Sequence, residues 1–538
     1  MLLATTLPSV AFACGGLFCN SAQPVNQAAE RILFAFDEDG QRLHMHIRLT
    51  WQGPPTDFGW LLPVPPDVET GLSSELLFQQ LEAQYAPRFS LITEYTEECE
   101  EEWEAWDAGA FAEQDASAPP GEDPAPPPRV QIISREAVGP YDRVILLAET
   151  VQDLFRWLDE NDFQYPEGSE EKLQPYIEAG AAFVALKLLP TAGSNDVVPL
   201  RLTFGSPIAS IPIVPTAVAA NNDMGVIVHV LGDARAVPAN YRHVQINQAA
   251  IDWVSGGSNY ADVVSQAADE AEGQAFATDY AGPRIPMFIE PIPDGNVDAV
   301  RRAETWPDLV NAFVDLARRD IDLQRIFFTG VILPPDIDPQ DFLRCPDCYP
   351  EPEVDGPALA DRIESEINEP RRAIMTLLDQ NPYMTRLFTT LSPAEMTVDP
   401  AFDFNRDLPE VGNDYRATRY VGCGDDGFYD WDNAIVETPD GLRFRLVNGQ
   451  NPNAIQRQNG EVVRGEGVPA AAIIERLTAA GQPEPIEDNR EDIGEDIQVT
   501  MAGDGSAGGC ACDVGGNGAP LPVFAVGLLL LITRRRRR

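Results

Sequence analysis

Short apolar runs, each stopped by a proline or a turn residue, govern what this chain can form. The chain holds 47 prolines in 538 residues. Proline has no backbone N–H and does not sit inside a central strand, so each one marks a strand end, an edge or a loop. Ile32–Phe36 is followed by the turn signal Asp37-Glu38-Asp39-Gly40 and then by the alternating run Leu43–Leu49, which predicts a hairpin. Phe58–Val64 reads as a third strand, halted by Pro65-Pro66. Further strands are expected at Val130–Ile133, Val144–Ala148, Ala182–Leu188, Leu200–Phe204, Ile211–Val214, Val226–Leu231 and Gly441–Leu446. Helical periodicity predicts helices at Ser73–Tyr85, Val151–Leu158, Tyr260–Ala271, Leu309–Leu316 and Ala358–Leu378. Val151, Leu154, Phe155 and Leu158 share one helical face, and Thr150 with Asp153 makes an N-terminal cap. The alternation is irregular and has no fixed repeat. It points to an α+β fold of mainly antiparallel sheet with packed helices, not to a doubly wound one.

Charge narrows the function. The chain has 85 acids against 38 lysines and arginines, a net of −47. Nucleic-acid binding through a basic surface is excluded, because phosphate neutralisation needs cations. Residues 97–128 are expected to be a solvated acidic insertion, since they are acid-rich and then proline-rich and cannot bury enough apolar surface to offset ordering. Trp103, Trp106 and Phe111 within it fit a partly collapsed loop better than a docking stripe. A second proline- and acid-rich loop spans 345–357, and residues 482–509 read as a flexible acidic stalk.

The ends speak of export. Leu2–Ala13 is apolar and closes in Ala11-Phe12-Ala13, small residues where a signal peptidase reads. This makes residues 1–13 a signal peptide whose basic n-region is missing; a start codon assigned too late accounts for that. Cys14 then has two fates, lipid attachment or a disulfide, and Ala11 in place of leucine favours the disulfide. At the other end, Gly508-Gly509-Cys510-Ala511-Cys512 precedes an apolar run, Ala519–Thr533, and the arginines Arg534–Arg538. That run rises about 22 Å as a helix, short of the ~30 Å hydrocarbon core until the weakly polar residues before it are included. Arginines stay on the cytoplasmic side, so the body lies outside. Residues 510–538 resemble the MYXO-CTERM tail of myxobacterial surface proteins. The resemblance implies processing near Cys510 and Cys512 by a myxosortase-like protease, after export through a signal peptidase. Leu521, Phe524, Leu528, Leu531 and Arg534 would form the membrane anchor.

Six cysteines remain: Cys14, Cys19, Cys99, Cys345, Cys348 and Cys423. In an exported chain an even number suggests disulfides. The local pairs Cys14–Cys19 and Cys345–Cys348 are the simplest arrangement and leave Cys99 for Cys423, tying distant regions together. Cys345-Pro346-Asp347-Cys348 has redox-dithiol spacing, but its acidic, proline-rich setting would raise a thiol pKa and favours a structural bridge.

Several stretches in order carry a second resemblance. They are Cys14–Cys19, Asn26–Ile32, Trp51–Pro54, Phe58–Pro65, Asn259-Tyr260, Phe276–Gly282, Thr385–Thr390 and Met396–Pro400. Together they resemble the secreted bacterial family called domain of unknown function 2330, over roughly residues 14–408. Residues 409–481 would complete the ectodomain. The resemblance implies export; it brings no activity and no catalytic residues.

Candidate chemistry is sparse. His44 and His46 lie two apart on a strand, on one face, a spacing that can ligate a metal given a third ligand. The plainer reading is a solvent-facing row, with Leu43, Met45 and Ile47 turned to the core. Asp425-Asp426-Gly427, Asp37–Asp39 and the set Asp336, Asp338 and Asp341 are loops where calcium would bind weakly, without an EF-hand pattern. No cofactor is otherwise expected. The chain has no G-x-S-x-G elbow, H-E-x-x-H or phosphate-binding glycine loop. The leading expectation is a surface-anchored envelope protein acting by binding or adhesion, its ligand unnamed. The alternatives are a metal-dependent hydrolase built on His44 and His46, and a passive envelope component.

Overall fold

The computed structural model describes residues 29–48, 58–99, 130–190, 197–330, 345, 348, 354–447, 454–463 and 467–499. Its centre is a ten-stranded sheet. In chain order the strands are β1 (Ala29–Phe36), β2 (Arg42–Arg48), β3 (Glu69–Leu72), β4 (Leu200–Gly205), β5 (Met224–Gly232), β6 (Arg242–Ile246), β7 (Ala275–Pro283), β8 (Tyr383–Leu391), β9 (Ala471–Arg476) and β10 (Glu484–Asp488). Side by side they run β10-β9-β6-β7-β8-β5-β1-β2-β4-β3. β1 with β5 and β6 with β7 are parallel, and the other neighbours are antiparallel. The helices that matter below are α1 (Glu75–Tyr85), α2 (Val151–Glu160), α3 (Tyr260–Glu270), α4 (Ile321–Gly330), α5 (Glu369–Gln380) and α6 (Arg490–Ile497). The chain is α+β with mixed, mostly antiparallel sheet.

Strand alternation sends Ile32, Phe34, Leu43, Met45, Leu202 and Val228 to one face. That face packs on a four-stranded sheet ordered Gly59–Val64, Ala182–Leu188, Tyr141–Ala148 and Val130–Val138, with Trp60, Val184 and Leu186 in the contact. Each fully buried aliphatic or aromatic side chain there stabilises by about 1.5–3 kcal/mol. On its outer face the four-stranded sheet buries Leu146 and Phe183 against Leu154 and Leu158 of α2. The predicted cap of α2 is present: Thr150 Oγ1 accepts from the Asp153 N–H at 3.1 Å and donates to its carboxylate at 2.7 Å.

The opposite face of the central sheet is covered in two places. Leu33, Ala35 and Leu231 meet Leu77 and Leu81 of α1 and Leu377 of α5. Val244, Ala277 and Ile474 meet Val264 and Ala267 of α3, with Val436 and Phe444 from a six-stranded sheet. Disulfides join Cys99 to Cys423 and Cys345 to Cys348. The first ties the ends of strands Arg88–Tyr95 and Asp414–Val421, which pair in parallel.

Two expectations are corrected. Ile211–Val214 is not a strand: Pro212 offers no donor, and the Ile213 N–H turns back to the Ile211 carbonyl at 2.8 Å. The acidic stalk does not begin at Gln482, because β10 pairs with β9, and α6 buries Ile493 and Ile497. The composition misled there because β10 is an edge strand, with Glu484, Glu487 and Asp488 exposed while its backbone is paired. Among the described residues no helix is long and apolar enough to cross a membrane. Cys14, Cys19, Cys510, Cys512, Leu521, Phe524, Leu528, Leu531, Arg534 and the tryptophan-bearing insertion lie outside the described residues.

Candidate functional site

His44 and His46 do share a face of β2, and Leu43, Met45 and Ile47 do face the core. The solvent-facing expectation fails for His46, which is fully buried because α1 and the residues leading into it cover that side. His46 Nδ1 lies 2.7 Å from Ser73 Oγ, and His44 Nδ1 lies 2.9 Å from Thr203 Oγ1. Burial, then the charges of Arg201 and His44, push the His46 pKa down to about 3. The two rings thus bond to hydroxyls, and among the described residues no group of three or more His, Cys, Asp or Glu gathers for a metal. Asp426 accepts from the Phe428 N–H at 3.1 Å and shapes the turn at Gly427, with Asp425 exposed beside it. Asp37 likewise takes the Gln41 and Arg42 N–H groups.

Strand register extends a polar row from His46 across the covered face of the sheet. Arg201 on β4 pairs with His46, His46 with Leu33, Leu33 with His229 on β5, and His229 with Arg386 on β8. The row ends at β7, whose register slips between Thr278 and Tyr280 and leaves Asp279 as a bulge. Bulges re-aim side chains and are frequent beside functional sites. Here the bulge puts Asp279 in the interior, bonded to both the Arg386 guanidinium and the Tyr260 hydroxyl of α3. Burial raises the Asp279 pKa, with Arg386 and Tyr260 opposing.

Beside that bulge the sheet opens. β6 pairs with β7 only from Arg242–Val244 to Ala275–Ala277, and the two strands then part. A cleft of about 360 Å³ fills the fork, lined by Arg235, His243, Tyr260, Thr278, Tyr415 and Glu475 among others. Six separate elements supply these six side chains. Arg235 begins a short strand, Arg235–Pro238, of a three-stranded sheet; Tyr415 belongs to the six-stranded sheet, and Glu475 to β9. Phe89 stacks on Tyr415 and tilts against Tyr260, fixing both rings as an aromatic wall.

Within the cleft the polar groups form a chain. His243 Nδ1 is 2.8 Å from Glu475 Oε1, and His243 Nε2 is 2.9 Å from Thr278 Oγ1. Arg235 Nη2 donates to the same Thr278 oxygen at 3.1 Å, and Arg235 Nη1 donates to the Pro409 carbonyl at 3.3 Å. Gln245 adds a hydrogen bond to Glu475 at 3.2 Å. Burial holds the His243 pKa below its ordinary value, against the opposing pull of Glu475. Burial pushes Glu475 up, yet the hydrogen bond and electrostatic pull of His243, the hydrogen bond from Gln245 and the charge of Arg235 outweigh it and hold the carboxyl below the usual range. His243 is therefore neutral and Glu475 ionised near neutral pH. A carboxylate can only accept, so Nδ1 carries the imidazole proton and Nε2 accepts from Thr278. Arg235 takes one of the two acceptor positions of the hydroxyl and leaves the other open. Its guanidinium is buried, and among the described residues its Nε has no hydrogen-bond partner and no carboxylate bonds to it, although the charge of Glu475 reaches it.

None of these cleft residues was a candidate in the sequence. The available signals were His243 in the alternating stretch Arg242–Ile246, and Thr278-Asp279 in the stretch Phe276–Gly282. A family model described as "Uncharacterized protein conserved in bacteria (DUF2330)" matches residues 8–285, just over half of the chain. The matched span holds Arg235, His243, Tyr260 and Thr278, and ends before Tyr415 and Glu475. The stretches Thr385–Thr390 and Met396–Pro400 lie beyond it. No curated protein and no solved structure matches the chain.

Proposed function

This chain belongs to the bacterial family described as DUF2330, and from that premise we propose that it is an exported envelope protein whose folded body binds a small carboxylate in the cleft at Arg235. The observation that carries the binding reading is the state of Arg235. A guanidinium stays charged even when burial lowers its pKa, as burial does here. The charge of Glu475 offsets that burial only in part, so a further anionic partner is favoured. Glu475 is committed to His243 and Gln245. The planar fork of arginine suits a carboxylate, and the Tyr260 and Tyr415 rings supply an apolar wall for the body of such a ligand. Arg490 of α6 also lines the cleft, its charge paired with Asp488.

The Cys99–Cys423 disulfide supports export, since such bonds persist in oxidising compartments. The terminal sequences carry the rest of that reading: a signal peptide in front, and a sorting tail and anchor behind. A binder is preferred to a metal-dependent hydrolase at His44 and His46 because both rings already bond to hydroxyls.

Thermal unfolding of the full-length protein in the presence of acetate, butyrate, benzoate or inorganic phosphate tests the binding reading. The expected result is saturable stabilisation by benzoate, lost in Arg235→Gln. An unchanged midpoint at every benzoate concentration would overturn it. Export is tested separately by fractionation of cells with non-reducing peptide mapping, where full-length chain with reduced Cys99 in the cytosol is the contrary result.

A further inference from the structure

We infer that the cleft is also a hydrolytic site for carboxylic esters, with Thr278 as nucleophile, His243 as its base, Glu475 as the group that orients the imidazole, and Arg235 as the counter-charge for the developing oxyanion. The inference rests on the carboxylate reading and extends it, because the carboxylate that Arg235 would hold is the acid product of such an ester.

The geometry is that of an activated hydroxyl. A nucleophilic alcohol needs a neutral base within hydrogen-bond reach and a third group that fixes the base's orientation. Thr278 Oγ1 sits 2.9 Å from His243 Nε2, and Glu475 holds the far nitrogen at 2.8 Å. The same three chemical types in the same order recur on unrelated folds and are recognised by roles rather than by sequence position. Thr278 and Arg235 both line the cleft, and the guanidinium contacts the nucleophilic oxygen itself. Negative charge that forms on a carbonyl attacked by Thr278 therefore arises beside a fixed cation. His243 is faced by Glu475 of β9, by Arg235 of the three-stranded sheet and by Thr278 of β7, and burial keeps its ring neutral and able to take a proton.

In the first step Thr278 Oγ1 bonds to the ester carbonyl carbon while its proton passes to His243 Nε2. The tetrahedral species collapses, the bond to the leaving alkoxide breaks, and His243 returns that proton to the alkoxide, releasing the alcohol. An acyl-threonine ester remains. Water then attacks the acyl carbon and gives its proton to His243, and the bond to Oγ1 breaks. Oγ1 recovers the proton from Nε2, and the carboxylic acid leaves as carboxylate after losing its proton to solvent. One water is consumed, and no oxidant or metal takes part.

The test uses the full-length protein and p-nitrophenyl butyrate, with Thr278→Val, Thr278→Ser, His243→Gln and Glu475→Gln. The wild type is expected to hydrolyse the ester in a saturable manner and to show a butyryl adduct on Thr278 by mass spectrometry of quenched reactions. Thr278→Val should lose the adduct and about 100-fold or more in kcat/KM, while Thr278→Ser keeps both within about tenfold. Glu475→Gln should lower kcat and shift its pH profile, an effect that mere loss of stability would not give. Butyrate should inhibit competitively. Hydrolysis at the uncatalysed rate by the folded wild type, or an unchanged rate in folded Thr278→Val, would overturn the inference. Should Thr278→Val fail to fold, an adduct absent from both wild type and Thr278→Ser would do the same. Either failure leaves the carboxylate reading standing if benzoate still stabilises the wild type and not Arg235→Gln; loss of that difference defeats the carboxylate reading itself.

Discussion

Acidification should destabilise this protein through His46, and the size of the effect follows from where the ring sits. His46 is fully buried on β2, with Nδ1 on Ser73 Oγ at 2.7 Å and Nε2 without a hydrogen-bond partner among the described residues. A second proton would land on a nitrogen with nothing to receive it, beside the charge of Arg201. The pKa of this group is about 3 in the fold against an ordinary value of 6.5. Between those values the unfolded chain binds a proton that the folded chain refuses, so stability is fully present above pH 6.5 and falls as pH falls. Each unit within the window is worth about 1.4 kcal/mol, which makes the whole window roughly 4–5 kcal/mol and the drop from neutrality to about pH 5 roughly 2 kcal/mol. Urea unfolding at about pH 7 and about pH 5 measures it, with His46→Gln as the comparison, since its amide can still bond to Ser73. The loss on acidification should be about 2 kcal/mol smaller in the variant than in the wild type. Equal losses in the two proteins would refute the reasoning, because the buried neutral ring would then contribute nothing to the pH dependence.

Other perturbations follow from the same packing. Arg371 of α5 is buried and bonds to Asp320 at 2.7 Å and to Asp322 at 2.8 Å, and Asp322 in turn accepts from Ser74 Oγ at 2.6 Å at the start of α1. Arg371→Met leaves both carboxylates without their cation and should cost about 3–5 kcal/mol in chemical denaturation; a loss below about 1 kcal/mol would show that the cluster is not structural. Cys99→Ser should lower stability by about 2–5 kcal/mol, read as a fall in the thermal midpoint that disappears when wild type and variant are compared under reducing conditions. Gly257 has φ +76°, and a β-carbon there would run into the Phe89 ring that supports Tyr260 and Tyr415. Gly257→Ala should therefore cost about 1–3 kcal/mol and weaken benzoate binding together with stability, as differential scanning would show.

The elements were legible where one periodicity ruled. Val151, Leu154 and Leu158 on one face, with Thr150 and Asp153 at the start, specify α2 almost to the residue. The alternation in Leu43–Leu49 likewise specified β2 and its core face. The far side of β2 was not legible, because whether His46 meets water depends on α1, which only tertiary packing places. The stalk failed for a related reason: the acids of β10 describe its exposed side chains, whereas its backbone is decided by pairing with β9. The cleft was the least legible part. Arg235, His243, Thr278 and Glu475 come from distant parts of the chain, and they converge through a parallel pairing, an antiparallel pairing and a bulge that no local pattern announces. His243 had no neighbour in sequence to suggest Glu475 as its partner. Cys99 and Cys423 were an exception among distant pairs, since the two local pairs left them to each other.

The most direct measurement of the central claim is a calorimetric titration of the full-length protein with benzoate, run side by side on wild type and Arg235→Gln in one buffer. A single saturable site is expected in the wild type, with at least about tenfold weaker binding in the variant. Equal affinity in the two proteins, or binding by neither, would contradict it.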